Sequence, residues 1–135
     1  MIKTETKTSS IQKKSNVTTG KNVCDLSYLT AMTGGKKKAI REIMDVFLKQ
    51  INQEVTTFNK AVAKTDYEGI KNCAHKMKSS ASVMGIHSLT PVLKEVEDLA
   101  EAETGIEKIK KLNVKFNVIC KHAIEETELS KLNYV

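Results

Sequence analysis

The amino-acid sequence predicts an all-α protein: an antiparallel up-down-up-down four-helix bundle with a short extra N-terminal helix. Aromatic residues make up only 4% of the chain and proline occurs once, at Pro91, a composition that disfavours sheets and suits helices. Apolar residues recur every three or four positions along four long stretches. Short polar connections join these stretches, which makes helices adjacent in sequence antiparallel.

The chain divides into a polar lead and one domain. Residues 1–22 are mostly Lys, Thr, Ser, Asn and Gln, and they hold too little apolar surface to offset the entropy of ordering. We therefore expect a disordered lead or an inter-domain linker there, and a helical domain over residues 23–135. Lysines of the lead account for most of the net charge of +6, so the basic excess is not a face of the domain.

A short amphipathic helix is predicted at the start of the domain. Leu26, Leu29 and Met32 recur every three residues, as one face of a helix requires. Gly34 and Gly35 follow directly and end this helix.

Two long helices form the first half of the predicted bundle. The first extends from about residue 36 to residue 64, with a bend or break allowed near residues 51–52. The second begins at a capping box formed by Thr65 and Glu68 and ends near Gly85. The two predicted buried stripes are Ile40, Met44, Phe47, Ile51, Val55, Phe58 and Val62, and then Ile70, Ala74, Met77, Ala81 and Met84.

Two further helices complete the predicted bundle. Ser88 or Thr90 caps the first of them, and Pro91 fits its first turn. A second capping box, from Thr104 to Glu107, opens the last helix, which extends to about residue 130. Their predicted buried stripes are Leu89, Val92, Val96, Leu99 and Ala100, and then Ile109, Leu112, Phe116, Ile119 and Ala123.

The composition also excludes several kinds of protein. The six glycines form no phosphate-binding loop, so no nucleotide site is encoded. No apolar run is long enough to cross a membrane. The three cysteines, Cys24, Cys73 and Cys120, are an odd number and follow no apolar signal segment. We therefore expect a protein of the reducing cytoplasm without membrane insertion.

His75 is the residue that most suggests chemistry. At about 100° per residue it lies about 140° from the apolar stripe of its helix, so its side chain is expected to face solvent. Lys71, Lys78, Ser79 and Ser82 share this arc, which is cationic and rich in hydroxyls and lacks an acidic residue. A neutral imidazole can attack a phosphoryl group there while a lysine offsets the added negative charge. The alternative interpretation is that His75 is an ordinary solvent-exposed histidine among surface lysines, without a chemical role.

The other histidines and cysteines suggest no second site. The pairs Cys73/His75 and Cys120/His122 repeat a Cys-x-His pattern. Residues two apart on a helix diverge by about 200°, so neither pair closes on one metal ion. We therefore expect no metal site and buried free cysteines. His87 in a turn and His122 on a helix flank are expected at the boundary of the core.

The segment from Ala74 to Gly85 contains a recognisable pattern, which is His75, Lys78 three residues later, small residues at Ser79 and Ser80, and a glycine ten residues after the histidine. This pattern resembles that of the histidine-containing phosphotransfer (Hpt) domain family, and the resemblance extends over about residues 24–130. The resemblance implies a four-helix bundle. It also implies that His75 accepts a phosphoryl group from a receiver domain and that Lys78 supports that group.

The chain departs from the family pattern at one position. The family commonly has glycine four residues after the histidine, and here the residue is Ser79. Serine is small and can donate a hydrogen bond, so we expect a modified site that still works. Gly85 is expected to end its helix and allow close packing. We expect no cofactor of its own and Mg²⁺ supplied by the receiver, since the arc around His75 has no carboxylate to hold it.

The sequence thus predicts a monomeric phosphorelay intermediary that carries phosphate without an ATP site. The expected partners are response-regulator receiver domains and a hybrid sensor kinase, docked beside His75 where Leu26, Leu29 and Met32 are partly exposed. A helical adaptor with a degenerate site at Ser79 is the main alternative. A nucleic-acid binder that uses the lysine-rich lead is a weaker one, because it lacks aromatic stacking partners and a basic domain face.

Overall fold

A computed structural model describes residues 22–134. Within this range the chain forms five α-helices and a terminal 3-10 turn, and it contains no strand. The helices are α1 Ser27–Thr33, α2 Lys37–Ala63, α3 Tyr67–Val83, α4 Leu89–Glu101 and α5 Ile106–Ser130, and the turn is Lys131–Tyr134. The lead predicted over residues 1–22 lies outside the described residues except for Asn22. No helix of the described part is long and apolar enough to cross a membrane.

Helices α2 to α5 form a ring in which each helix packs against two others. Helix α2 contacts α3 and α5, and α4 contacts the same two helices, while α1 packs on α2. Side-chain pairs along α2 and α5 run in opposite directions, since Asn59 bonds Asn117 and Asp45 pairs with Lys131. The predicted antiparallel four-helix bundle with a short N-terminal helix is therefore confirmed.

The predicted apolar stripes face a common core. Phe58 of α2 and Phe116 of α5 meet at its centre with ring centroids 4.4 Å apart. Leu93 is fully buried as well, because the apolar arc of α4 is wide enough to contact both α3 and α5. Four predicted stripe residues are only half-buried: Val55, Leu99, Leu112 and Ile119.

Both predicted capping boxes are wrong. The residue that caps α3 is Asp66, whose Oδ1 accepts a hydrogen bond from the amide of Gly69 at 3.0 Å, while Thr65 has a left-handed φ of 52°. Gly105 precedes α5 with a φ of 71°, and no side chain caps that helix, so the box over residues 104–107 does not form. In each turn a residue with positive φ, Thr65 or Gly105, lies directly before the helix or its cap, so the threonine does not occupy the N-cap position with the required geometry.

The other helix boundaries agree with the sequence pattern. Helix α2 is continuous, so the break allowed near residues 51–52 is absent. Gly34 ends α1 in the left-handed conformation, with a φ of 66°. Ser88 precedes α4 as predicted, but its side chain makes no capping hydrogen bond and Thr90 lies within the helix, so the predicted cap does not form; Pro91 lies in the first turn.

Hydrogen bonds attach the segment before α1 to the bundle. Oε1 of Glu126 in α5 accepts hydrogen bonds from the amides of Val23 and Cys24 at 2.7 and 3.1 Å. The amide of Asp25 donates to the carbonyl oxygen of Gly85, just beyond the end of α3, at 3.0 Å. The segment thus joins α5 to α3, and it sets where α1 lies beside the histidine helix.

Candidate functional site

His75 lies in the middle of α3 with its side chain 71% exposed. The neighbouring residues Ala74 and Met77 are buried in the core, so the backbone that carries the imidazole is packed on its inner side. The exposure agrees with the angle of His75 on its helix. The imidazole is therefore held on a rigid helix and is open to a partner.

A carboxylate of α4 lies beside the imidazole. Oε2 of Glu97 is 3.0 Å from Nδ1 of His75, and Oε1 of the same residue is 2.6 Å from Nζ of Lys78. One turn further along, Nζ of Lys71 is 3.4 Å from Oε1 of Glu101. The prediction that the surface around His75 lacks an acidic residue is therefore wrong, because α4 contributes two.

The angles of residues around α3 do not reveal Glu97, because this residue belongs to α4. A signal for it was present in the spacing about the turn between the two helices. His75 and Glu97 each lie eleven residues from Ile86, and Lys71 and Glu101 each lie fifteen residues from it. Antiparallel helices of equal rise bring such residues to the same height.

The charges of the site fix the tautomer of His75. The hydrogen bond from Lys78 lowers the pKa of Glu97 against the opposing effect of desolvation, and the hydrogen bond with His75 lowers it further. An ionised carboxylate only accepts hydrogen bonds, so in the neutral imidazole the proton belongs on Nδ1. Nε2 is then left with its lone pair free on a side chain that is 71% exposed.

Ser79 lies one turn after His75 and borders two surface grooves. A groove of about 210 Å³ between α2 and α3 is lined mainly by apolar residues, among them Val46 and Val83. A second groove of about 400 Å³ includes Tyr28 of α1 and Lys78. The surface beside the imidazole is therefore concave and partly apolar.

The exposed residues of this surface differ from those predicted. Leu29 is fully buried and Leu26 is half-buried, so only Met32, at 48% exposure, is an exposed member of the predicted set. Tyr28 and Val46 are exposed instead, at 56% and 54%. A helix as short as α1 turns one side chain into the core at Leu29, which rotates Tyr28 outward.

Gly85 allows the backbone to approach closely at the end of α3. Its φ is +61°, and a Cβ at this position would overlap the carbonyl oxygen of Asp25. His87 follows in the same turn, with its Nε2 3.3 Å from Oδ2 of Asp25. The hydroxyl and the amide of Ser27 donate hydrogen bonds that, together with His87, lower the pKa of Asp25 to about 2. Gly85 and His87 thus hold the segment before α1 and do not reach the imidazole of the site.

The cysteines and His122 lie apart from His75. Cys73 and Cys120 are buried, whereas His75 and His122 are exposed, so the members of each Cys-x-His pair lie on different sides of their helices. Burial raises the pKa of the Cys120 thiol to about 12 and also raises that of Cys73. Over residues 22–134 no three His, Cys, Asp or Glu side chains are grouped as metal ligands would be.

Comparison with known proteins gives one match. A family model described as Hpt domain matches residues 42–126, which is more than half of the chain. The matched range runs from the first turns of α2 into α5, and it contains His75, Lys78 and Glu97. No curated protein and no solved structure gives a significant match.

Proposed function

The chain belongs to the Hpt domain family, and from that membership we propose that His75 accepts a phosphoryl group from the aspartyl phosphate of one receiver domain and yields it to an aspartate of another. Hpt domains are phosphoryl carriers of phosphorelays, without an ATP site of their own. One observation supports the residue assignment above all others. The imidazole of His75 is exposed, and its Nδ1 is bonded to Glu97, so that Nε2 is free to act as a nucleophile.

The proposed transfer is a displacement at phosphorus. Nε2 of His75 forms a bond to phosphorus while the bond from phosphorus to the aspartyl oxygen breaks, and the receiver carboxylate leaves with the electron pair. The ring keeps its proton on Nδ1 and becomes cationic. Glu97, 3.0 Å from Nδ1, stabilises this positive charge as it develops. Transfer to the second receiver is the reverse of these steps.

Lys78 and Ser79 support the phosphoryl group in this proposal. Nζ of Lys78 bonds Glu97 at 2.6 Å, one turn from His75, and the side chain is 39% exposed. From there Nζ can move to an oxygen of the phosphoryl group and offset its charge. The hydroxyl of Ser79 lies on the same face and can donate to another phosphoryl oxygen, where the family commonly has glycine.

The magnesium ion of the transfer is proposed to enter with the receiver. Glu97 is a carboxylate beside His75, but its two oxygens bond His75 and the cationic Lys78. A single carboxylate already paired with a lysine does not provide the oxygen ligands that Mg²⁺ takes. We therefore assign this protein the nucleophile and its supporting charges, and we assign the metal to the partner.

The proposed docking surface for receivers is the patch formed by Tyr28, Met32 and Val46, which we name the α1–α2 patch. Tyr28 and Val46 line the two grooves that Ser79 borders, one helical turn from His75, so a receiver seated there lies beside the imidazole in this proposal. A hybrid sensor kinase is a proposed source of the donor receiver. A cytoplasmic location is part of this proposal, in keeping with the buried free thiols of Cys24 and Cys73.

The test is transfer from a panel of phosphorylated receiver domains in the presence of Mg²⁺, followed as acid-labile phosphate on the protein. We expect label on the wild type and none on His75→Gln. His87→Gln and His122→Gln are matched controls, because both histidines are exposed outside the site, and we expect both to be labelled. Equal labelling of His75→Gln would place the acceptor elsewhere, and absence of label across a broad panel would favour a helical adaptor.

A further inference from the structure

The large apolar side chains exposed among residues 22–134 fall into two groups. The first group is the α1–α2 patch, which the proposed function uses. The second lies on α5 and the turn that follows it, far from that patch in sequence, and the proposed function does not use it. Its members, with their exposed fractions, are Val114 (65%), Val118 (51%), Leu129 (69%) and Leu132 (68%).

The three members of the second group that belong to α5 lie on one face of that helix. At about 100° per residue, Val118 lies about 40° from Val114, and Leu129 lies about 60° from it. The buried residues Phe116 and Ala123 lie about 180–200° from Val114, on the side that packs into the bundle. The exposed apolar residues therefore point away from the core, and none of the described helices covers them. A row of such residues opposite a packed face indicates a contact surface.

Charged residues lie among these apolar ones. Lys121 and Glu125 are exposed and lie within about 20° of Val114 around the helix, and exposed Glu128 borders them about 40° from Val114 on the side opposite Val118. We give the name α5 strip to six of these residues, which are in order Val114, Val118, Lys121, Glu125, Leu129 and Leu132. The strip has an apolar pair at each end with a cation and an anion between them. When two such strips are aligned in opposite directions about residue 123, the apolar pairs of one face those of the other, and each Lys121 faces a Glu125.

We propose that the α5 strip binds a second copy of this chain in an antiparallel helix pair, with a two-fold axis that passes the exposed face of α5 between Lys121 and Glu125. Lys121 of each copy then faces Glu125 of the other, which gives two symmetric ion pairs between apolar contacts. The strip is about 27 Å long at 1.5 Å per residue. One helix seam of this length buries less than the roughly 1,600 Å² of a standard interface, so the dimer is weak. The proposed dimer differs from the monomer expected from the sequence.

The proposed pairing leaves the phosphotransfer site open. Helix α3 contacts α2 and α4, and α5 contacts the same two helices, so α3 and α5 lie diagonally across the bundle. A second copy on the outer face of α5 is therefore remote from His75, which α3 carries. Self-association and phosphotransfer are separate properties, and each can be measured without the other.

Sedimentation of the full chain between about 10 µM and about 1 mM, a range suited to a small contact, tests the proposal. We expect the average mass of the wild type to rise toward twice that of the monomer. Lys121→Glu and Glu125→Lys are each expected to weaken association about tenfold, because each places two like-charged pairs across the axis. The double variant K121E/E125K restores association, and so does a mixture of the two single variants.

Three results would overturn the proposal: a monomeric mass over the whole range, a dimer that both single reversals leave intact, or a double variant that stays as weak as the single ones. Far-UV circular dichroism of each variant, expected to match the wild type, separates lost association from lost folding. Phosphotransfer to the same variants is measured in parallel. We expect it to be unchanged, so that failure of the dimer is distinguishable from failure of the proposed function.

Discussion

The two oxygens of Glu97 bond the two side chains on which the proposed transfer depends. The bond from Nδ1 of His75 to Oε2 fixes both the tautomer and the orientation of the ring. The bond from Lys78 to Oε1 keeps the ammonium group within one turn of the nucleophile. In the proposed transfer Glu97 is accordingly a positioning residue, which acts through the imidazole and the lysine.

Glu97→Ala is expected to slow phosphorylation of His75 about tenfold, because a charged hydrogen bond is lost and both tautomers of the ring become populated. The measurement is the initial rate of acid-labile labelling from one phosphorylated receiver. Nitrogen NMR of the imidazole gives a second readout, since Nδ1 should carry the proton in the wild type and share it with Nε2 in the variant.

Glu101→Ala is the matched control for Glu97→Ala. It removes the neighbouring carboxylate of the same α3–α4 interface, which pairs with Lys71 one turn away. We expect the labelling rate of this variant to equal that of the wild type. Equal slowing by the two substitutions would contradict a specific role of Glu97 and would point to a general effect of surface charge.

The end of α3 and the segment before α1 depend on each other at Gly85. The left-handed φ of this glycine ends the helix, and its missing side chain leaves room for the backbone of Asp25. Gly35, after α1, has a φ of +76° but no atom within 4 Å of the position that a Cβ would take. An alanine at Gly35 would therefore meet only the strain of a left-handed backbone, whereas an alanine at Gly85 would meet the same strain and a steric overlap.

Gly85→Ala is expected to lower the free energy of unfolding by about 3 kcal/mol, since it adds an overlap with a fixed backbone to the strain of a left-handed residue. Gly35→Ala meets only the conformational cost, about 1 kcal/mol. Chemical denaturation followed by circular dichroism measures both losses. Similar losses at the two positions would show that the contact with Asp25 has little energetic weight.

The bodies of the helices could be predicted from the sequence, and two of their starts could not. Periodicity identifies a helix because each buried stripe repeats many times, as along α2, where one stripe residue out of place would not alter the conclusion. A cap depends on a single hydrogen bond, and Thr65 and Asp66 compete for the same amides at the start of α3. The φ of 52° at Thr65 decides this competition, and no sequence pattern reports it.

The proposed phosphotransfer site could be predicted from the sequence on one helix only. The exposure of His75 follows from its angle on α3, and Lys78 and Ser79 follow from their spacing to it. Glu97 comes from α4, and its position depends on the register between two helices, which is fixed by core packing and by the turn at Gly85. Contacts between residues of different helices cannot be predicted from the periodicity of each helix alone.

The bundle presents apolar patches on two separate surfaces with different proposed partners. Val46 lies in the α1–α2 patch and Val118 in the α5 strip, and the two valines are 54% and 51% exposed. They are thus nearly identical in chemistry and exposure and differ in location. Each provides the control for the other.

Val46→Asp is expected to slow transfer from a receiver about tenfold while the self-association of the protein stays unchanged, because a buried charge disfavours docking at the α1–α2 patch. Val118→Asp is expected to do the reverse. Transfer rates and sedimentation of both variants check the two halves of this prediction. A loss of both properties in either variant would contradict the assignment of separate surfaces.

The three buried thiols can serve as probes of local unfolding in the domain. Cys24 lies before α1, Cys73 in α3 and Cys120 in α5, and burial raises the pKa of Cys24 and Cys120 to about 12. The thiolate is the reactive form, so alkylation at neutral pH proceeds from states in which the surrounding chain has detached. The order in which the three thiols are alkylated therefore shows which part of the bundle unfolds locally most often.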